Sequence, residues 1–211
     1  MFRLLQPRFI LAFLRGLLLK LRYGSALQFN PARTFFGPNV TIQITAGGSI
    51  TISGTRDRVF IADGCDIVAS GGHLSIGNGV FFNKHCRIVC HERIAIGEDC
   101  MFGPNCSVFD SDHVFQDPSV PYRYQGYTKK AVQIGDNTWL GVNAVVTKGT
   151  CIGSGVVVGA NSVVRGILDA ACVYGGSPAV LLKRIAGTGS QRSADAPPAD
   201  SKKETTPAGQ A

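Results

Sequence analysis

The chain has 211 residues, 45% hydrophobic and only 17% charged, which bounds it to one folded domain with extensions and excludes a disordered chain. The net charge of +7 is unevenly placed: Arg3, Arg8, Arg15, Lys20, Arg22, Arg33 and Arg56 all precede the first acid, Asp57. The remaining Lys and Arg balance the 14 acids, so no nucleic-acid-binding body is expected, and one end of the protein faces something anionic.

Residues 1–24 predict a basic amphipathic helix. Arg8, Arg15 and Arg22 recur every seven residues and form one narrow stripe. Phe9 to Leu21 is otherwise almost wholly apolar, but the run is too short to span a bilayer and is broken by Arg15 and Lys20. Arg15 also spoils a signal peptide. Two readings stand: residues 1–22 make a peripheral contact with a membrane, each cation adding about 1 kcal/mol against an anionic leaflet, or the helix packs on the domain.

Residues 25–185 carry a six-residue repeat. Ile134, Leu140, Val146, Ile152, Val158 and Val164 are in phase. Gly135, Gly141, Gly153 and Gly159 follow four of them, and Thr138, Ala144, Thr150, Val156 and Ser162 stand four residues after five of them. Upstream, Ile76, Phe82 and Ile88 keep the same spacing, which resumes after a slip of two at Ile96, Phe102 and Val108. Its small-residue column holds Val80, Cys86, Cys100 and Cys106. A period of six is not helical. It fits a short strand, a corner and a repeat, with glycine and asparagine at positive-φ corners and three hexads closing one triangular coil. The seven cysteines are odd in number and lack paired CxxC spacing, so they read as reduced, buried thiols.

The register is lost over an excursion at 109–133, which opens with the acid-rich FDSDH. Long ordered excursions are usually functional. Beyond residue 185 the chain is Ala, Pro, Ser, Gly and charge, so 186–211 reads as a disordered tail.

MFGPNCSVFDSDH, VQIGDNTWLGVNAVVTKGTCIGSGVVVGANSVV and GGSPAVLLKRI together resemble the hexapeptide-repeat acyltransferases. The branch they most resemble is that of the sugar O-acetyltransferases, which includes maltose, galactoside and polysaccharide-modifying enzymes. The resemblance covers roughly residues 36–185. It implies an all-β, left-handed parallel β-helix with an N-terminal helix, a protruding loop and a short C-terminal basic helix. It also implies a homotrimer and acetyl-CoA-dependent transfer to a hydroxyl of a surface polysaccharide; the reduced cysteines point to a cytoplasmic location, and the basic apolar N-terminus to a lipid-linked precursor as acceptor.

His113 takes the position of the family's catalytic histidine. A sugar hydroxyl is a poor nucleophile while protonated, and imidazole suits the role of general base. Asp110 or Asp112 is a candidate to orient it, as in a triad, and a backbone carbonyl is the other possibility. Asn83 matches an acceptor-binding asparagine, its alternative being a positive-φ corner residue. His91 stands where the family can place an acidic acceptor contact. Trp139, Gly141, Val142 and Ala160 would line the pantetheine arm, with Arg165 and Lys183 near the coenzyme phosphates. Arg165 departs from the family's usual Thr-Lys, and GILDAACVYGG lacks its usual proline. N-acylation of an amino sugar and a non-catalytic β-helix scaffold remain alternatives. The spacings of His73, His85, His91 and His113 do not match a zinc-binding relative on this scaffold, so no metal is expected.

Overall fold

The computed structural model describes residues 7–185. The N-terminal helix, Pro7–Tyr23, is followed by a parallel β-helix of three faces. The first face stacks Leu27–Gln28, Ser49–Ile52, His73–Ile76, Arg93–Ile96, Val132–Ile134, Cys151–Ile152 and Ile167–Leu168. The second stacks Thr34–Phe36, Val59–Ile61, Phe81–Phe82, Met101–Phe102, Trp139–Leu140, Val157–Val158 and Cys172–Gly176. The third stacks Thr41–Thr45, Asp66–Ser70, Arg87–Cys90, Ser107–Phe109, Val145–Val146 and Val163–Val164. Ile134 pairs with Ile152, Leu140 with Val158 and Val146 with Val164, so the coils stack three hexads apart.

Each hexad aliphatic points inward. Ile88, Ile134, Leu140, Val146, Phe82 and Phe102 are all buried, and the two phenylalanine rings stack with centroids 4.5 Å apart. The slip of two residues lengthens the strands beside one corner without breaking the coil. Ile88 and Cys90 both face inward before it, as do Ile94 and Ile96 after it.

The small-residue column fills the corners and satisfies carbonyls there. The Thr138 hydroxyl donates to the Gly135 carbonyl at 2.8 Å, and the Thr150 hydroxyl to that of Thr147 at 2.7 Å. Cysteine does the same elsewhere: the Cys106 thiol donates to the Gly141 carbonyl at 3.1 Å and the Cys86 thiol to that of Gly103 at 3.2 Å. Six cysteines are buried, but Cys151 faces outward from the first face, because it precedes the inward Ile152.

The positive-φ corners are filled mostly by asparagine and glycine, with His85, Asp99, Ala46 and Ala171 at the others. At the corner from second to third face, the Asn105 amide donates to Asn143 at 3.1 Å and the Asn143 amide to Asn161 at 2.9 Å. The glycines that follow the aliphatics serve a different need. Gly141 is not left-handed, but a Cβ there would stand 2.6 Å from the Ala160 amide nitrogen of the next coil. Gly135 and Gly153 meet the next coil as closely, so these three are small to let coils stack, whereas Gly159 has ordinary room.

The helix caps the open N-terminal base of the coil. Ala12 is buried, Gly16 meets the Phe29 ring, Arg15 donates to the Phe36 carbonyl, and the Tyr23 hydroxyl donates to the Ile42 carbonyl at 2.5 Å. At the other end, the basic helix expected after the Gly-x-Pro-Ala element is a strand. Ala179–Arg184 turns back at Gly176 and runs antiparallel to Cys172–Gly176. The last coil would otherwise expose a bare sheet edge, and a strand satisfies that edge where a helix would not. Arg8's side chain, residues 1–6 and the tail 186–211 expected to be disordered lie outside the described residues.

Candidate active site

The excursion leaves the coil at the corner between third and first faces. Strict alternation keeps Val108 inward and Phe109 outward, so Asp110 points inward again, and it is fully buried. On other coils the amides at this corner donate to carbonyls of the next coil, as His73 does to Glu92 and Gln133 to Thr150. The excursion removes those carbonyls from the coil above His91. The Asp110 carboxylate replaces them, accepting from the amides of His91 at 2.7 Å, Glu92 at 2.8 Å and Arg93 at 2.8 Å. Its own carbonyl accepts from the Lys130 amide at 2.9 Å and so closes the root of the loop. The adjacent Cys90 thiol is pushed up to about 12 by burial and then by the charge of Asp110.

Asp110 therefore does not orient His113; it holds the loop's root. Asp112 is also committed elsewhere, to an ion pair with Lys148 at 2.9 Å. Among the described residues, no side chain hydrogen bonds to the His113 imidazole. What the ring does touch is Tyr127. Ser111–His113 pairs antiparallel with Tyr127–Lys129, which sets His113 opposite Tyr127 with ring centroids 4.4 Å apart. The other side of that contact is His91, 4.9 Å from the same tyrosine. Lys148 also donates to the Thr128 hydroxyl, and Lys129 to the His91 carbonyl at 3.2 Å, so the hairpin is tied to the body at both strands. Tyr127, Lys129 and Lys148 were not read from the sequence. Tyr127 stands in a stretch without hexad phase, and only the hairpin register reveals it.

His113, His91, Tyr127 and Asp112 line a cleft of about 510 Å³ over the third face. Its floor is mixed: Gln43, Thr45, Ser70 and the Asp66–Arg87 ion pair at 3.4 Å lie beside Val68, Val89 and Phe109. A second groove, of about 480 Å³, runs over the second face and its corner to the third. It brings together Trp139, Gly141, Val142, Ala160 and Asn83. Trp139 is 50% exposed and lies beside Met101 and Val157 in the outward column. The column continues through Val173 to Lys183, so one cation stands three strand spacings from the tryptophan.

Two expected residues fall elsewhere. Arg165 sits at the corner between third and first faces, not on the groove, because it follows the third-face strand Val163–Val164 directly. Asn83 and His91 line different clefts, since a full third-face strand separates them. Asn83 is not left-handed; His85 is the positive-φ residue of that corner. His73 bonds to the Ser49 hydroxyl at 2.8 Å, and among the described residues no three His, Cys, Asp or Glu converge.

Fold and repeat define a three-faced parallel β-helix built on a six-residue repeat, with two clefts on adjoining faces. Residues 131–166 match the family described as bacterial transferase hexapeptide (six repeats). The chain is 36% identical over 125 residues to a probable acetyltransferase of Mycobacterium tuberculosis, covering 59% of this chain and 42% of that one. It is also 36% identical over 124 residues to a putative lipopolysaccharide biosynthesis O-acetyl transferase of Escherichia coli, covering 52% of this chain and 63% of that one. The chain thus spans about half the length of these relatives. Among solved structures, an N-acyltransferase from Bacillus cereus in complex with dTDP and coenzyme A matches with a TM-score of 0.61 at 23% identity, covering 80% of this chain and 88% of that one. A maltose O-acetyltransferase from Clostridium difficile matches with a TM-score of 0.51 at 21% identity, covering 87% and 91%. The resemblance to the hexapeptide-repeat acyltransferases is borne out by these matches.

Proposed function

We propose that the protein is an acetyl-CoA-dependent O-acetyltransferase acting on a sugar hydroxyl of a surface polysaccharide or its lipid-linked precursor, on the cytoplasmic side of a membrane. The observation that carries this reading is the placement of His113. It stands on a braced hairpin, exposed at the mouth of a cleft whose polar side chains and apolar patches suit a sugar acceptor. The relatives named as acetyltransferases support the same chemistry.

In this reading, an acceptor hydroxyl enters the cleft between His113, His91 and the floor. The His113 imidazole accepts the hydroxyl proton as the oxygen attacks the thioester carbonyl. The tetrahedral intermediate then collapses, the C–S bond breaks, and the proton passes to the leaving thiolate. The pantetheine arm lies in the apolar groove along Trp139, Gly141, Val142 and Ala160. Lys183 at the end of that column meets coenzyme phosphate as a point charge.

The cleft and the groove lie on different faces of one chain, so a complete site needs the cleft of one protomer against the groove of the next. A homotrimer supplies this, because a closed ring joins two unlike surfaces at every interface. The test is transfer from acetyl-CoA to a panel of sugars and amino sugars, read by mass shift. His113→Ala is expected to lower kcat about 10²–10⁴-fold, the usual contribution of general acid–base catalysis. An unchanged rate would remove His113 from the mechanism.

A further inference from the structure

The N-terminal helix is apolar on two opposite arcs. At about 100° per residue, Ala12, Gly16, Leu19 and Tyr23 fall on the arc that caps the β-helix. The opposite arc, about 160° wide on the same helical wheel, carries Ile10, Leu11, Phe13, Leu14, Leu17, Leu18 and Leu21, all large and exposed. Leu18 is 66% exposed and Leu21 83%, the highest among the helix's large apolar residues. A helix apolar on every side is normally covered on every side. Here one side is covered by the coil and the other by nothing among the described residues.

The charges sit at the two borders between these arcs. Arg15 and Arg22 flank one border and Lys20 the other, with Arg22 lying over the Tyr23 ring and Lys20 near the Phe29 ring. Beside the helix, a cavity of about 250 Å³ between Phe13, Phe35 and Phe60 carries Arg33 and Arg58 on its wall. Among the described residues, none of Arg15, Lys20, Arg22, Arg33 and Arg58 is ion-paired. No acid lies between Pro7 and Arg56.

We propose that this basal face docks on an anionic lipid bilayer, with the helix lying in the plane of the headgroups. The outward leucines enter the acyl boundary, and the border cations reach sideways to lipid phosphates. The charge pattern selects this occupant over a second copy of the chain. A copy would bring the same cations against themselves, with no acid on either helix. Among the described residues no helix is long and apolar enough to cross a membrane. The proposal goes beyond the acyl-transfer reading and does not depend on it.

The test is co-sedimentation of the full chain with vesicles of phosphatidylcholine alone and of phosphatidylcholine with phosphatidylglycerol. The wild-type protein is expected to pellet with the anionic vesicles and to be released by salt. Leu18→Glu with Leu21→Glu should weaken binding at least tenfold with an unchanged melting temperature, since both side chains point away from the coil. Lys20→Gln and Arg22→Gln should each weaken it about fivefold at low salt. Equal pelleting of the leucine variant, or no preference for anionic vesicles, overturns the proposal. So does a concentration-dependent doubling of mass in vesicle-free buffer that the leucine variant abolishes, which would make a second copy the occupant.

Discussion

Replacing Asp110 with asparagine separates two roles that the sequence leaves together. The carboxylate is fully buried and accepts three backbone amides at 2.7–2.8 Å, two on one oxygen and one on the other. Asparagine keeps one acceptor oxygen and puts an NH2 group where the other was. If its oxygen faces Glu92 and Arg93, the His91 amide meets a donor. One buried amide is then orphaned at about 1–3 kcal/mol, and the two retained bonds lose their charge assistance. Releasing a buried charge offsets part of this. The net expectation is a loss of about 2–4 kcal/mol, or roughly 5–15 °C in Tm for a chain of this size.

The assay is thermal unfolding together with hydrogen exchange of the peptide covering His91 to Arg93. Exchange there should accelerate before the rest of the coil opens, because these amides hold the loop's root. Activity measured well below the lowered Tm should stay within about tenfold of wild type. The opposite pattern would refute the assignment. An unchanged Tm with kcat down by about 10³–10⁴ is what loss of a carboxylate orienting a histidine produces, and it would return Asp110 to a triad.

Tyr127→Ala should lower kcat about 2–10-fold, the worth of an aromatic contact, while Tyr127→Phe keeps the ring and stays near wild type; equal loss in both would implicate the hydroxyl instead. Thiol titration of the native protein at pH 8 should read one fast cysteine, Cys151, abolished by Cys151→Ser, and all seven after denaturation. Cys90 gives a pH dependence of known sign. Its thiol is raised to about 12 by burial first, so the folded state disfavours the thiolate. That stabilisation is complete below the ordinary thiol range near 8.5 and fades as pH climbs from there toward 12. Cys90→Ala should therefore flatten part of the alkaline fall in Tm relative to wild type, and parallel curves would contradict it.

The coil was legible because its cause is local and repeated. An aliphatic every six residues, a small residue four later and asparagine at corners each state one constraint, and the constraints agree. Other features are read from neighbours the sequence does not name. Asp110 lies three residues from a histidine, and that closeness drew it toward the triad reading. Yet alternation from the inward Val108 already sends it into the coil, which is the signal that could have placed it. Gly135, Gly141 and Gly153, after the aliphatics, suggest corners or room for a coenzyme, but they answer to the coil above. The C-terminal strand escaped a reading that took a basic ending for a helix, because only the exposed edge of the last coil dictates pairing. Arg165 lies at the corner of third and first faces and Lys183 on the edge of the second, so topology rather than spacing separates them. The N-terminal sequence is compatible with packing or with a membrane, and the structure shows the packing arc, with Ala12 buried and Tyr23 bonded to the Ile42 carbonyl.

The division of the candidate site between two faces leads to one more test. His113 and its cleft lie over the third face, and Trp139 and its groove over the second. If one chain formed a whole site, a variant lacking either half would stay inactive in any mixture. If the halves meet across protomers of a closed ring, His113→Ala and Trp139→Ala chains can rescue each other. Each interface takes its histidine from one chain and its groove from the next. In a randomly reassembled equal mixture about one interface in four then has both halves intact, so activity should return to about a quarter of wild type. Refolding the two variants together and apart, with acetyl transfer as the readout, decides between them. Activity no greater than the mean of the separate variants would mean that the groove serving His113 belongs to its own chain, and the interface assignment would fall even if His113 remained the base.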